Sequence, residues 1–308
     1  MSVAVGSTSE APQDGSPAAD VEGAVHRYAQ VGGIRMHYVE AGPADGPLVV
    51  LLHGFPEFWY SWRRQIPTLA AAGLHVVAPD MRGYNLTEKP KGWRKYRTDE
   101  LSDDIAALIR SFGVEQTYLA GHDWGAAVAY ATTMRHPGCV KKLAILNVPH
   151  TARMLAGFRT LKQLRKSWYM FMFQLPVLPE WGIARDGYSA GKRSLRAGAK
   201  QGTFSDEDLE RYAEAWSKPG ALTGMVNYYR AALRQSPGKA LAELRPFSNQ
   251  TLVIWGKKDM YLGSELAEPE AKWVPNARVE WIPDATHWVQ HEAAERVNEL
   301  LIGFFQDS

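Results

Sequence analysis

The stretch Gly121-His122-Asp123-Trp124-Gly125 decides the fold of this chain. It follows an apolar run, residues 117–120, that is typical of a buried strand, and it precedes a segment rich in small residues that favours a helix. The two glycines lack a side chain, so they allow a tight turn and a close approach of the helix to the strand. The stretch therefore predicts a strand–turn–helix unit with Asp123 at the end of the strand.

Similar apolar runs recur along the chain and alternate with helical patterns. A hairpin is predicted first, from His26–Gln30 and Ile34–Glu40 around Gly32-Gly33. The remaining strands are predicted at residues 48–52, 75–79, 117–120, 143–146, 252–255 and 279–282. Such alternation predicts an α/β fold, with an eight-stranded, mostly parallel sheet that carries helices on both faces.

The alternation stops after Asn147, and about 100 residues pass before the next convincing strand. This part is helical in pattern and aromatic, and Ser205 with Asp208 predicts a capping box at one helix start. We expect residues 149–240, called the insertion below, to form a helical cap inserted into a core of residues 25–148 and 241–308. Residues 1–24 are rich in Ala, Ser, Gly and Pro and are predicted to be a disordered tail.

Composition argues against several classes of function and of site. The formal net charge is only +2 and no long Lys/Arg run is present, which argues against a nucleic-acid partner. Arg63-Arg64 is interpreted as a pair of solvated loop charges. The single cysteine, Cys139, excludes an intramolecular disulfide and a cysteine-ligated metal site, and it is expected to be a buried thiol.

Targeting signals are also lacking. The first 24 residues contain no apolar signal-peptide region, and no apolar run reaches the length of a membrane span. We therefore expect a cytoplasmic protein with no membrane partner. The sequence gives no indication of the oligomeric state.

Two further polar residues follow predicted strands. Asp259 comes shortly after residues 252–255, and His287 shortly after residues 279–282. Functional groups gather at the carboxyl ends of strands in open α/β sheets. The chain order of Asp123, Asp259 and His287 predicts a nucleophile, an acid and a histidine. Of the other histidines, His53 and His122 are interpreted as structural, and His291 is expected to face solvent.

The turn around Asp123 has the form of the nucleophile elbow of α/β hydrolases, in which the pattern is G-x-S-x-G. Here a carboxylate stands in the place of the serine. The segment His53-Gly54-Phe55-Pro56-Glu57 follows the first long apolar strand, where this fold places a loop that donates one oxyanion-hole N–H. The residue after the nucleophile donates the other. We expect the backbone N–H groups of Phe55 and Trp124 to form the oxyanion hole.

Taken together, His-Gly-Phe-Pro-Glu, Gly-His-Asp-Trp-Gly, Asp259 and His287 resemble epoxide hydrolases of the α/β-hydrolase fold, from about residue 26 to the C-terminus. Those enzymes hold the epoxide oxygen with two tyrosines of the cap. The matching segments are residues 168–176 and 227–230, which imply Tyr169 and Tyr229. The family often has Trp at the position of Tyr228, so Tyr228 is not the expected second tyrosine.

The resemblance implies that a hydrophobic epoxide is opened by water to a vicinal diol through an ester on Asp123. Phe55, Trp124, Tyr169 and Tyr229 would contact the substrate, and no metal or other cofactor would be required. The sequence does not tell which epoxide, enantiomer or ring carbon is preferred.

Two alternatives remain open. A haloalkane or haloacid dehalogenase would use the same nucleophile, and the Trp124 indole would be one halide donor. The Phe55 side chain, however, offers no second donor, and only Trp168 is a further candidate. Dehalogenases also often place the acid after the strand that here ends at Asn147. A non-catalytic ligand-binding homologue is the other alternative, and it predicts the loss of a catalytic residue, which is not observed.

Overall fold

The computed structural model describes residues 11–307 of the chain and contains one eight-stranded sheet. Its strands are β1 Val25–Val31, β2 Ile34–Ala41, β3 Leu48–Leu52, β4 His75–Pro79, β5 Thr117–His122, β6 Val140–Leu146, β7 Gln250–Gly256 and β8 Ala277–Ile282. All eight predicted strands are present, and six of them are longer than predicted by one residue or more.

The spatial order of the strands is β1-β2-β4-β3-β5-β6-β7-β8. The pairs β1–β2 and β2–β4 are antiparallel, and all other neighbours are parallel. The expectation of a mostly parallel sheet is therefore confirmed. The order reverses around β3, which lies between β4 and β5, and such a switch point opens a crevice at the carboxyl ends of the strands.

The central strands form the core because they are apolar throughout. Every residue of β3 and of β4 is buried, as expected for parallel strands that are covered on both faces. The first and last strands, β1 and β8, lie at the sheet edges and are only partly buried. Cys139, just before β6, is a buried free thiol, as predicted.

Helices surround the sheet and supply the regular secondary structure of the insertion. Those packed on the sheet are α1 Ile66–Ala71, α2 Thr98–Ser111, α3 Trp124–Arg135, α11 Val289–Glu292 and α12 Ala294–Gln306. Those between β6 and β7 are α4 Thr151–Gly157, α5 Leu161–Lys166, α6 Trp168–Met172, α7 Leu178–Gly198, α8 Asp206–Ser217, α9 Ala221–Arg234 and α10 Pro237–Ala242.

Local sequence explains the start of α8 in the insertion. Ser205 accepts a hydrogen bond from the backbone N–H of Asp208, whose side chain in turn accepts from the backbone N–H of Ser205, so the predicted capping box is present. Helix α7 is interrupted at Arg185–Tyr188, where three consecutive residues have positive φ.

The structure differs from the predicted disorder over residues 11–24, whereas residues 1–10 lie outside the described part of the chain. Pro17 pairs with Val25 beside β1. Ala18, Val21 and Ala24, spaced three residues apart, are almost fully buried. These small apolar side chains bury enough surface to order the segment, a contribution that a composition rich in Ala, Gly and Pro conceals.

Across residues 11–307, no helix combines the length and the apolar character that crossing a lipid bilayer requires.

Candidate active site

Asp123 lies in a sharp turn between β5 and α3, with φ 49° and ψ −123°. This conformation is rare for residues other than glycine. A side chain at Gly125 would collide with the backbone of Leu52 and His53, and one at Gly121 would collide with the backbone of Gly125. The two glycines therefore fix the close packing of α3 against the strands, as the sequence predicts.

The loop after β3 reaches Asp123 because β3 and β5 are neighbours, with Leu52 opposite Gly121. The backbone N–H of Phe55 donates a hydrogen bond to Oδ1 of Asp123 at 2.7 Å. The next backbone N–H beyond the nucleophile belongs to Trp124, the first residue of α3, at the positive end of the helix dipole. Both predicted oxyanion-hole residues thus flank the carboxylate.

His287 and Asp259 lie beside Asp123 at the carboxyl ends of β8 and β7. The Nε2 atom of His287 is 3.5 Å from Oδ2 of Asp123, and its Nδ1–H donates to Oδ2 of Asp259 at 2.8 Å. The other oxygen of Asp259 accepts the backbone N–H groups of Tyr261 and Leu262 at 2.7 and 2.9 Å. The structure therefore brings the three predicted residues into one row, joined by a hydrogen bond and an ion pair.

Asn147 is a member of this site that the sequence analysis did not assign to it. Its Nδ2 donates to Oδ2 of Asp259 at 2.8 Å, and its Oδ1 accepts the backbone N–H of Gly256 at 2.8 Å. The residue follows β6, directly beside β7, and has a φ of 49°. Its place directly after a predicted strand is the sequence signal for this role.

Charge–charge interactions govern the protonation of the row. Burial alone would lower the pKa of His287, but the carboxylates of Asp259 and Asp123 outweigh it and raise the pKa to about 10. Burial alone would likewise raise the pKa values of Asp123 and Asp259, yet hydrogen bonds and the charge of His287 hold both below the usual range. At neutral pH the row is therefore an imidazolium between two carboxylates.

Beneath the row lies a buried polar network. The Nε2–H of His122 donates to the backbone oxygen of His287 at 2.9 Å, in keeping with the structural role predicted for it. Glu57 accepts from Nε2 of His291 at 2.7 Å and from the hydroxyl of Tyr212, on α8, at 2.8 Å. The expectation that His291 faces solvent is therefore wrong, because the buried carboxylate of Glu57 draws its ring inward.

The expectation that Arg63 is a solvated loop charge is also wrong. Its guanidinium forms an ion pair with Asp208 at 3.0 Å and lies 3.1 Å from Nδ1 of His291, and its side chain is only 9% exposed. Arg64 next to it is exposed, as expected. Asp208 lies in the first turn of α8, within the insertion, so the arginine joins the core to the insertion rather than facing solvent.

A cavity of about 430 Å³ separates the sheet from the insertion. Asp123 and His287 line it from the sheet side, and the Asp123 side chain keeps 15% of its surface exposed there. Most of the remaining wall is apolar, with Phe55, Met172 and Phe173 among its members. The cavity is thus an apolar chamber that offers a carboxylate to its contents.

Tyr169, on α6, and Tyr229, on α9, line the same cavity from the insertion, with ring centroids 5.8 Å apart. Burial, and then the negative charge of Asp123, raise the pKa of both hydroxyls well above the usual value of 10, so both are neutral proton donors. The hydroxyl of Tyr228 instead donates to the backbone oxygen of Arg82 at 2.8 Å.

Arg230 joins the two helices that carry these tyrosines. Its guanidinium donates to the backbone oxygens of Phe173 and Leu175, at 3.1 and 2.7 Å, and pairs with Glu180 at 2.6 Å. Gln174 adds a bond from its Nε2 to the backbone oxygen of Tyr229 at 3.1 Å. The separation of the tyrosines is therefore set inside the insertion.

The expected substrate contacts divide into two groups. Phe55, Tyr169 and Tyr229 line the cavity, whereas Trp124 is not one of its lining residues. The Trp124 ring packs edge-on against Tyr228 and Tyr229, with centroids 5.5 and 5.1 Å away. Trp168 lines the cavity at its edge and is 63% exposed.

Comparison with known proteins agrees with this geometry. Residues 47–294 match the model of a family described as the alpha/beta hydrolase fold. The chain is 40% identical to AB hydrolase superfamily protein YfhM of Bacillus subtilis, over 93% of this chain and all of that protein. It is 37% identical to epoxide hydrolase 2 of Caenorhabditis elegans, over 92% of this chain and 80% of that protein.

Solved structures give the same result. An epoxide hydrolase from Bacillus megaterium, in complex with an inhibitor, superposes with a TM-score of 0.82 at 32% identity, covering 91% of this chain and all of that chain. Epoxide hydrolase A from Mycobacterium thermoresistibile superposes with a TM-score of 0.79 at 30% identity, covering 92% and 98%. The chain belongs to the α/β-hydrolase fold family and, within that family, to the epoxide hydrolases.

Proposed function

We propose that this protein hydrolyses epoxides to vicinal diols through a covalent ester on Asp123. The observation that carries the proposal is a single apolar cavity in which a carboxylate paired with His287 lies opposite two neutral tyrosines, Tyr169 and Tyr229. The similarity to proteins named epoxide hydrolases supports it. We further propose that the insertion, residues 149–240, acts as the cap of this cavity.

The first step is attack on a ring carbon. Oδ1 of Asp123 is held by the N–H of Phe55, so Oδ2 is the attacking atom. A bond forms between this oxygen and the carbon, the carbon–oxygen bond of the ring breaks, and its electron pair stays on the ring oxygen. Tyr169 or Tyr229 donates a proton to that oxygen, which avoids the release of a free alkoxide.

Esterification changes the charge around His287. Asp123 becomes neutral, so one of the two carboxylates that raise the pKa of His287 is lost. His287 then releases its proton, which returns through the cavity to the tyrosinate left by the first step. The neutral imidazole, oriented by Asp259, is now able to act as a base.

The second step is hydrolysis of the ester. His287 takes a proton from water, and the water oxygen bonds to the carbonyl carbon of Asp123. Oδ1 becomes the oxyanion, and the N–H groups of Phe55 and Trp124 stabilise it, each such donor contributing about 3–4 kcal/mol. The ester bond then breaks, and the departing diol oxygen takes the proton from His287. The second water proton, left on the Asp123 carboxyl group, passes to His287, which restores the carboxylate and the imidazolium.

Dehalogenation is supported less well. A halide leaves as a stable anion and needs two N–H donors, yet the Phe55 side chain has none, and Trp124 is not a lining residue. Asn147, at the position where dehalogenases often place the acid, instead orients Asp259. Two neutral tyrosines would be superfluous for halide release but suit an oxygen leaving group.

A substrate panel tests the proposal. The purified protein is assayed with aryl and aliphatic epoxides, haloalkanes and fluoroacetate, with diol and halide release measured separately. We expect diol from the hydrophobic epoxides. Halide release without diol formation would assign the protein to the dehalogenases, and turnover of neither class would favour a binding role.

The variant His287→Gln tests the covalent step. It leaves Asp123 able to attack but removes the base of the second step, so an adduct of protein plus epoxide should accumulate within one turnover. Intact-mass and peptide mass spectrometry locate the adduct, which we expect on Asp123. An adduct on another residue would contradict the two-step mechanism.

A further inference from the structure

The insertion carries an unusual concentration of exposed apolar side chains. Among residues 11–307, nine large apolar residues are exposed, and six of them fall within fourteen positions. We call these six the apolar patch: Trp168, Phe171, Leu175, Val177, Leu178 and Trp181. Contiguous exposed apolar surface on a water-soluble fold marks an interaction site, because leaving it in water is unfavourable.

Two members of the apolar patch lie at one edge of the cavity. Trp168 and Leu178 both line the cavity and are both more than half exposed, so they lie at its mouth. Phe171 follows Trp168 by one helical turn on α6, and Trp181 follows Leu178 by one turn on α7, which places each pair on one face. The surface that contains the mouth is therefore aromatic and aliphatic.

Positive charge accompanies the patch. Residues 151–200 contain ten Lys and Arg against two Asp and Glu, whereas residues 201–250 contain six of each kind. Some of these cations form ion pairs, as Lys192 does with Glu210. Arg159 and Arg165, which flank the patch on its N-terminal side, are exposed and have no carboxylate partner within the described part of the chain.

We propose that this face of the insertion docks onto an anionic lipid bilayer, with the mouth of the cavity turned toward the membrane. Protein surfaces that bind at a bilayer interface combine Trp, Phe and Leu with Lys and Arg. The apolar side chains enter the boundary of the acyl chains, and the cations pair with anionic headgroups. Docking would allow lipophilic epoxides to pass from the bilayer into the cavity. This part of the inference, substrate entry, rests on the proposed function.

Self-association fits this face less well. A symmetric dimer through the apolar patch would bring the basic surroundings of two copies together, and like charges at short range oppose that contact. A bilayer with negative headgroups satisfies both the apolar and the charged part of the surface. The absence of a membrane-spanning helix among the described residues concerns a different mode of attachment.

Vesicle co-sedimentation tests the proposal. The full-length protein is mixed with vesicles of phosphatidylcholine alone or with one third phosphatidylglycerol, and bound protein is measured in the pellet. We expect binding to the anionic vesicles only, weakened by high salt. Arg159→Glu with Arg165→Glu, or Phe171→Ser with Trp181→Ser, should each weaken binding about tenfold or more.

Matched controls separate the patch from a general change of charge or polarity. Lys141 and Arg278 are exposed near the starts of β6 and β8, at the opposite edge of the sheet from the strand ends that form the site. Lys141→Glu with Arg278→Glu therefore controls for charge reversal, and Leu241→Ser controls for loss of one exposed apolar group. Both should bind the anionic vesicles as the unmodified protein does.

The outcomes are distinct. No binding of the unmodified protein to anionic vesicles, or equal binding by the patch variants and the controls, would overturn the proposal. So would a dimer in analytical ultracentrifugation without vesicles that only the patch variants dissociate, because the patch would then be a contact between copies. Vesicle binding by a protein that turns over no epoxide would refute the proposed function and leave the docking surface intact.

Discussion

The two walls of the cavity differ in the charge state of their polar side chains. On the sheet side, the carboxylates of Asp123 and Asp259 and the imidazolium of His287 are ionised, and each is held by hydrogen bonds or an ion pair. On the insertion side, Tyr169 and Tyr229 are neutral and packed among aromatic rings. Burial acts on both walls, but only the sheet side has enough partners to overcome it.

Because of this difference, the sheet side supplies the nucleophile and the insertion side supplies the proton donors. The nucleophile must be an anion before the substrate arrives, so its charge has to be stabilised by fixed dipoles at the strand ends. The proton donors must be neutral before the ring opens, and an apolar wall keeps them so without further help. Variants of each wall should therefore fail in different ways.

The largest effect is expected from Asp123→Asn. The amide is isosteric but is a poor nucleophile, so diol formation should fall by about 10⁴-fold or more, with no adduct by mass spectrometry. Asp103→Asn, at an exposed carboxylate on α2, is the matched control and should retain full activity. Appreciable turnover by Asp123→Asn, in freshly prepared protein, would show that another group attacks.

The next largest effect is expected from removing both insertion hydroxyls. Tyr169→Phe with Tyr229→Phe keeps the apolar wall but removes the proton donors, so the rate of adduct formation should fall by about 10²- to 10⁴-fold in single-turnover measurements. Tyr228→Phe is the control, since its hydroxyl binds the backbone of Arg82 outside the cavity. Equal loss in that control would indicate a packing defect rather than lost proton donation.

A smaller effect, about tenfold on the second step, is expected from Asn147→Gly. Glycine tolerates the φ of 49° at this position but cannot donate to Asp259, so the acid should orient His287 less well. Asn85→Gly is a close control, because Asn85 has a φ of 36° and donates to the buried carboxylate of Asp80 at 2.9 Å. Both variants should lose stability, but only Asn147→Gly should shift the pH profile of ester hydrolysis.

The pH dependence of unfolding tests the charge state of His287, on the sheet side, without an assay of turnover. The pKa of His287 is raised to about 10 in the folded protein, above its unfolded value of about 6.5. The stabilisation is therefore complete below about pH 6.5 and is lost as the pH rises through about 10. Denaturant titrations should show a steeper decline over this window for the unmodified protein than for His287→Gln.

The sheet side was the more predictable wall from sequence. A glycine-flanked Asp123 after a buried run, followed by two polar residues after later strands, leaves few arrangements in a parallel sheet, and the structure brings the three together. The role of Asn147 could not be predicted because an Asn at a strand end is equally common in an ordinary turn. His291 and Arg63 were misjudged because their partners, Glu57 and Asp208, are distant in the chain.

The insertion could be predicted only in outline. An aromatic helix that lines a cavity has the same residue pattern as one that packs in a core, so Tyr169 and Tyr229 were identified by resemblance and not by spacing. The side chain of Trp124 was expected in the cavity, but it packs against Tyr228 and Tyr229 because the insertion brings α9 down onto it. The burial of Ala18, Val21 and Ala24 likewise depends on tertiary contacts that composition does not encode.

Because of Arg230, the spacing of the two tyrosines does not depend on contacts between the insertion and the sheet. Because one guanidinium fastens the end of α6 to α9, the two tyrosines are held together by bonds that do not cross the cavity. The apolar wall between Met172 and Ile183 could then be remodelled, in nature or by an engineer, while the spacing of the hydroxyls is kept. Substrate range and ring-opening chemistry would in that way evolve as separable traits of one small helical module.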